Sequence, residues 1–259
     1  MSAIIKQYSQ LLGIAASLLM GNSALAGDYT FSTGAEYTNG DYGAAINTTM
    51  LQVPFTLGYT NEKYAWSITV PYIQLSGSED VTFSRTSHSP KFTTTTASTA
   101  KQTSSGLGDI TLSGTYQLKE ETNVSPWLAL TGKIKLGTAD EKKRLGTGEN
   151  DYAVQVEVAK NALHGYLGYK IIGDTSTVNF NDVSYGAVGI TIPVSKNWTS
   201  ITEYYTEQAS VSGVENIQEV NISFSKSLSN KKKFSIYAIK GLTNSSPDWG
   251  AGISLSYPL

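Results

Sequence analysis

Residues 126–159 read PWLALTGKIKLGTADEKKRLGTGENDYAVQVEVA, and the reading of this stretch decides the fold. Pro126, Leu128, Leu130, Gly132, Ile134 and Leu136 fall on one side, and Trp127, Ala129, Thr131, Lys133 and Lys135 on the other. A polar, Gly-rich segment follows over 137–151. Then Tyr152, Val154, Val156 and Val158 alternate with Ala153, Gln155, Glu157 and Ala159. Side chains along a strand point to opposite faces with period two, so the stretch is a pair of strands, each with one apolar face. The opposite face carries Lys133, Lys135, Gln155 and Glu157 in mid-strand. In a soluble sandwich that face is the wet surface. In a membrane barrel it is the lumen.

The same alternation extends in both directions. Tyr29, Phe31, Thr33, Ala35 and Tyr37 mark a first strand, and Val53, Phe55, Leu57 and Tyr59 a second. In the third, Tyr64, Trp66, Ile68, Val70 and Tyr72 place aromatics at both ends of an apolar row and aliphatics in its middle. A strand crossing a bilayer has this order, because Tyr and Trp favour the two interfaces. Ile110, Leu112, Gly114, Tyr116 and Leu118 give the fourth. After the central pair come Leu163 to Ile171 by twos, then Gly186, Val188, Ile190 and Ile192. Residues 198–206 form a ninth strand in which Ile201, Glu203 and Tyr205 share a face. Val220, Ile222 and Phe224 mark a tenth strand, 234–240 an eleventh of ambiguous facing, and Trp249 to Leu259 a twelfth.

Twelve strands leave longer connections after odd-numbered strands and mostly shorter ones after even-numbered strands. A sandwich has no reason to sort its loops by parity, whereas outer-membrane barrels have short periplasmic turns and longer outer loops. The longest connection, 76–108, is rich in Ser and Thr and reads as a polar outer loop. The predicted fold is an all-β, transmembrane, antiparallel up-and-down barrel of about twelve strands. It uses residues 27–259 as one domain, since closure leaves no unpaired edge in lipid.

Composition agrees. Charged residues make up 15% and hydrophobic ones 40%, with 24 Gly and 16 Tyr. Past residue 26 there is no run of about 20 apolar residues of the kind a spanning helix needs. The absence of cysteine removes thiolate metal sites and disulfides. A net charge of −2 lacks the basic footprint of a nucleic-acid binder. At the N-terminus Lys6, the short apolar core 11–20 and Ala24-Leu25-Ala26 form a secretory signal over 1–26, with cleavage expected after Ala26.

The central pair also resembles a known family. Gly106-Leu107-Gly108-Asp109 opens the fourth strand, Lys135-Leu136-Gly137-Thr138-Ala139 closes the fifth, and Leu145-Gly146-Thr147-Gly148-Glu149-Asn150-Asp151 leads into the sixth. This order is similar to the G-x-G-D, K-L-P-T-G and L-G-T-G-x-x-D motifs of the outer-membrane family labelled as the MetA pathway of phenol degradation. Gly137 replaces the Pro of that pattern and Ala139 the Gly. The motif positions carried over are Gly106, Gly108, Asp109, Lys135, Gly146, Gly148 and Asp151. The resemblance implies a barrel that transports small, often aromatic or hydrophobic compounds.

Among residues that could act, Lys133, Lys135, Glu157, Lys170, Glu203 and Glu219 are the expected lumen-lining charges. They set conductance and selectivity in a wet lumen, or pair across it as a polar core. Lys133 or Lys135 near Glu157 is the pairing that neighbouring strands suggest. The Gly-rich motifs read as rim turns whose acids hydrogen-bond loop amides; the alternative is ion binding, by an anion nest of Gly-Thr-Gly amides or by Glu149 and Asp151 around calcium, although no calcium-loop consensus is present and no metal ligand is expected. With two histidines, His88 and His164, catalysis has no base set beside a nucleophile. No catalytic residue and no cofactor is expected. The expected partners are outer-membrane lipid, the barrel assembly machinery and a small-molecule solute. The leading function is an outer-membrane channel or transporter for small molecules. The alternative is a non-conducting structural or adhesive barrel whose surface loops, 76–108 above all, contact a partner.

Overall fold

The computed structural model describes residues 27–78, 81–82, 91–92, 100–176 and 178–259. The expected signal segment, 1–26, and His88 lie outside the described residues. Twelve antiparallel strands close on themselves. They are β1 (Asp28–Gly40), β2 (Thr48–Thr60), β3 (Tyr64–Ser78), β4 in two segments (Lys101–Leu107 and Ile110–Lys119), β5 (Trp127–Leu136) and β6 (Asp151–Lys160). They continue with β7 (Leu163–Ile171), β8 (Val183–Ser195), β9 (Trp198–Glu207), β10 (Ile217–Ser227), β11 (Lys233–Gly241) and β12 (Trp249–Pro258). Each strand pairs with its neighbours in sequence, and β1 pairs with β12 from Thr30↔Pro258 to Asn39↔Trp249, which seals the barrel.

The outer surface follows from the alternation. Leu57, Ile68, Leu130, Val154, Val156, Val158, Val188, Ile222, Ile236 and Ile253 all point outward and are exposed. Two aromatic belts bound this apolar band. Near the short turns, Tyr29, Tyr59 and Trp66 cluster with ring centroids 5.0–6.2 Å apart, and Tyr64 meets Tyr116 at 5.5 Å. On the loop side Tyr37 meets Trp249 at 5.5 Å. Apolar side chains left on the outside of a sealed sheet have only lipid to meet, so the barrel is built to span a membrane.

Two strands were not resolved by alternation. In β9, Ile201, Glu203 and Tyr205 face inward and the lipid side is Trp198, Ser200, Thr202, Tyr204 and Thr206. In β11, Lys233, Ser235, Tyr237 and Ile239 face inward and Phe234, Ile236 and Ala238 outward. The long polar connection also needs correcting. β3 runs on to Ser78, and Lys101–Leu107 pairs with it from Tyr72↔Leu107 to Ser78↔Lys101. Part of 76–108 is therefore a hairpin extending past the membrane belt, where a strand needs no apolar face.

Candidate functional site: the barrel interior

The three Gly-rich motifs converge at the loop end of the barrel. Gly106 is the last residue but one of the first segment of β4, and Gly108 sits in the break, donating its N–H to the Pro71 carbonyl at 2.8 Å. This break turns Asp109 inward. Antiparallel register sets Lys135 opposite Asp151. The Lys135 ammonium lies 3.2 Å from Asp151 Oδ2, 3.4 Å from Asp109 Oδ2 and 3.0 Å from Thr147 Oγ1, and all three charged side chains are fully buried. Asp109 Oδ1 accepts the Ala139 N–H at 2.9 Å, and Asp151 Oδ1 the Gly173 N–H at 3.2 Å. Lys135 therefore does not pair with Glu157, because register places Glu157 opposite Ala129, far down the strand.

This knot folds the connection 137–150 into the mouth. Gly146 passes so close to Asp109 that a Cβ there would lie 2.6 Å from the carboxylate. Gly148 takes φ +75°, where a side chain is strained. Leu145 is then seated among Met50, Ile73, Leu75 and Ala139. Arg144 donates to the carbonyls of Ser78, Val81 and Gln102, tying the same loop to the β3–β4 hairpin. The departures from the family motif fit this geometry. The Gly137 N–H donates to Asn150 Oδ1 at 2.9 Å, which a proline could not do, and the Ala139 methyl joins the Leu145 cluster.

Deeper in the barrel, one sector is filled by polar and aromatic side chains of β5–β9. Glu157 Oε1 accepts from Thr131 Oγ1 at 2.6 Å and from Gln155 Nε2 at 2.7 Å, and the Tyr185 hydroxyl donates to Gln155 Oε1 at 3.0 Å. Lys170 pairs with Glu207 at 2.7 Å, and the Tyr205 hydroxyl donates to the same carboxylate oxygen. Lys170 and Lys133 lie over the Tyr185 ring, 5.4 and 5.9 Å from its centroid. Lys133 is half-buried and makes no ion pair among the described residues.

His164 stands with Nδ1 3.4 Å from Thr191 Oγ1 and Nε2 3.6 Å from Glu203. The order of groups is that of a nucleophile, a base and an orienting acid. Both separations exceed the reach of about 2.6–3.2 Å that such a relay uses. His164 and Thr191 are also buried, which makes them part of the wall.

The opposite sector, β10–β12 with β1–β4, is lined mainly by small residues. Their hydroxyls bond across strands: Ser32 with Ser256, Thr56 with Thr69 and Ser225 with Ser235. Ser32, Gly34, Ser223, Gly252 and Ser254 face inward and are partly accessible, so the free space of the lumen runs along this wall. Above it, Tyr42 turns in from the β1–β2 loop, fully buried, with its hydroxyl 2.9 Å from Thr38 Oγ1. Burial pushes its phenol well above the usual range, and the negative charges of Glu219 and Glu36 push the same way, so Tyr42 is a neutral lid. Glu219 is fully buried on β10, opposite Gly241 and Tyr205. Tyr42 also forms the floor of a pocket on the loop side, walled by Ser210, Val211, Val214 and Ser245.

Of the six charges expected in the lumen, the structure gathers Lys133, Lys170 and Glu203 with Glu157 in the crowded sector. It assigns Lys135 to the rim knot and sets Glu219 beneath Tyr42. The pattern reading missed Glu36, Gln52 and Glu207. The inward direction of Glu36 and Gln52 was legible from alternation in β1 and β2, whereas β9 did not show which way Glu207 points, and the partners of all three depend on register.

No curated protein matches the chain. Among solved structures, an outer-membrane channel from Pseudomonas putida F1 superposes with a TM-score of 0.65 at 10% identity, covering 92% of this chain and 97% of its own. The translocator domain of the autotransporter NalP from Neisseria meningitidis gives 0.49 at 10% identity over 91% and 89%. The CymD monoaromatic hydrocarbon channel gives 0.46 at 11% identity over 89% and 88%. At these identities the likeness is one of fold. A family model described as "Putative MetA-pathway of phenol degradation" matches residues 24–259, the whole of the barrel with its three converging motifs, and the chain belongs to that family.

Proposed function

We propose that this barrel is a bacterial outer-membrane channel that admits small solutes, hydrophobic or aromatic ones among them, through a lumen narrowed at its outer mouth. One observation carries the reading. The sealed wall is apolar outside, and inside it a stretch of small, partly accessible residues at mid-barrel lies beside a packed polar sector, while the loop 137–150 and Tyr42 fold over the outer end. Twelve strands lie between the side-chain-filled eight-stranded barrel and the open porin of 16–18 strands, so inward loops suffice to make the bore selective. The family's description supports aromatic compounds as the solute class.

The reading includes export by the 1–26 signal with cleavage after Ala26, and insertion into outer-membrane lipid by the barrel assembly machinery. It assigns transport to the lumen and no catalytic step. Lys133 and Glu203, the accessible charges, line the path. Glu157, Lys170 and Glu219 hold the polar wall, and Lys135 fixes the constriction.

The test is planar-bilayer conductance of refolded protein. Discrete ohmic steps are expected. A silent bilayer, with insertion verified by heat-modifiable gel mobility, overturns the channel and leaves a structural or adhesive barrel.

A further inference from the structure

Three inward-facing cross-strand pairs set an aromatic side chain opposite a glycine: Tyr185 with Gly168, His164 with Gly189, and Tyr237 with Gly252. A Cβ on Gly252 would fall 2.2 Å from Tyr237 Cζ, so the ring lies over the glycine, against the wall. Tyr185 and His164 are covered by other side chains, whereas Tyr237 stays partly accessible. Its hydroxyl donates to Glu36 Oε2 at 2.7 Å.

Behind that ring two groups lack partners. Glu36 Oε1 and Gln52 Nε2 are both buried without a hydrogen bond, in residues 2% and 1% exposed. Glu36 and Gln52 are direct partners across β1 and β2 and face the same side. Side chains so placed start about 4.5–5.5 Å apart at Cβ. An orphaned acceptor thus stands beside an orphaned donor, and buried polar groups left in that state are costly.

A hydroxyl group satisfies both at once, because it can donate to Glu36 Oε1 and accept from Gln52 Nε2. A methyl group or a ring edge satisfies neither. A carboxylate would face Glu36, and an ammonium group has nothing to accept from Gln52. The neighbouring Tyr237 ring offers a flat apolar surface for the body of the same molecule. The site lies below Tyr42, between the outer pocket and the small-residue stretch.

We infer that Glu36 and Gln52, walled by Tyr237 on Gly252, form a site in the lumen that recognises the hydroxyl group of a neutral solute in transit. The inference rests on the channel reading for its role, but the site itself can be measured without conductance.

Phenol and toluene, nearly equal in shape, are the probes. In single-channel recordings of the full barrel, phenol should reduce the current at concentrations about tenfold below those of toluene, the discrimination expected of one or two hydrogen bonds. Gln52→Leu and Glu36→Leu should each bring phenol to the level of toluene and leave toluene unchanged. Should either fail to give a heat-modifiable barrel, Gln52→Met, which keeps the side chain's length and removes the donor without adding a second carboxyl beside Glu36, should do the same. Equal block by phenol and toluene in the wild type overturns the site, since water then satisfies these groups as well as any solute. Loss of both probes together in the variants also overturns it. A wild-type barrel with no conductance refutes the channel alone. Saturation-transfer NMR on detergent-solubilised barrel then decides the site, with preferential, Gln52-dependent phenol signals expected and equal signals overturning it.

Discussion

Removing the charge of Lys135 is the sharpest probe of the rim. Among the described residues its ammonium is the only cation within ion-pair distance of Asp109 and Asp151, and all three side chains are fully shielded from solvent. Lys135→Met keeps the stem and strands two carboxylates in one buried space. Breaking a buried ion pair by deleting one partner costs about 3–5 kcal/mol, most of it the penalty of the abandoned charge. The triple variant Lys135→Met, Asp109→Asn, Asp151→Asn has no charge to abandon. Its amides can still accept the Ala139 and Gly173 N–H groups through their oxygens. It should recover most of the loss, because replacing a buried ionic set by neutral groups is often close to neutral. The assay is urea unfolding in lipid vesicles, read by tryptophan fluorescence and gel mobility, combined as a mutant cycle. A cost below about 1 kcal/mol for Lys135→Met, or a triple variant no more stable than the single one, would refute the knot as the anchor of the loop.

Leu145→Ala should loosen loop 137–150 by about 2–5 kcal/mol of docking energy, raising single-channel conductance while the barrel keeps its heat resistance; unchanged conductance would mean that the loop does not narrow the bore. On β10, Ile222→Lys puts a cation on the lipid face and should cost about 2–4 kcal/mol near the midplane, whereas Ser223→Lys, in the lumen, should assemble normally. Equal yields of heat-modifiable protein from the two would contradict the assigned facing. Lys133→Glu reverses an accessible charge in a confined lumen, so the reversal potential in a salt gradient should move toward cations. The shift should fade as the Debye length falls from about 10 Å at 0.1 M to about 3 Å at 1 M, and a salt-independent or absent shift would remove Lys133 from the ion path.

Strand number, closure and most facings were legible because lipid imposes one demand on every second residue. β6 shows it plainly, with Tyr152, Val154, Val156 and Val158 against Gln155 and Glu157. β9 hid its facing because Ser200, Thr202 and Thr206 leave its lipid side nearly as polar as its lumen side. β11 hid its facing because Ile236 points out and Ile239 in. The Lys101–Leu107 segment looked like loop because pairing beyond the membrane requires no apolar face. Ion-pair partners were not legible at all. Lys135 meets Asp109 and Asp151 through a strand register and a break at Gly108 that no local pattern records. The apolar residues on the inward faces of β2 and β3, Met50, Ile73 and Leu75, were the one available hint that something apolar must fold in to cover them.

The tyrosines laid over glycines carry a consequence for how such barrels diversify. Calibre here is not written in strand number alone. It also depends on whether the residue across the strand gap is small enough for a ring to lie down on it. One methyl group at Gly252 would lift Tyr237 off the wall and move its ring into the passage, and one at Gly168 would push Tyr185 into the polar sector packed over it. Backbone pairing, tilt and circumference would stay as they are. A fixed cylinder of this kind can therefore be rebored by single substitutions in its glycines, with solute preference drifting ahead of any change in architecture.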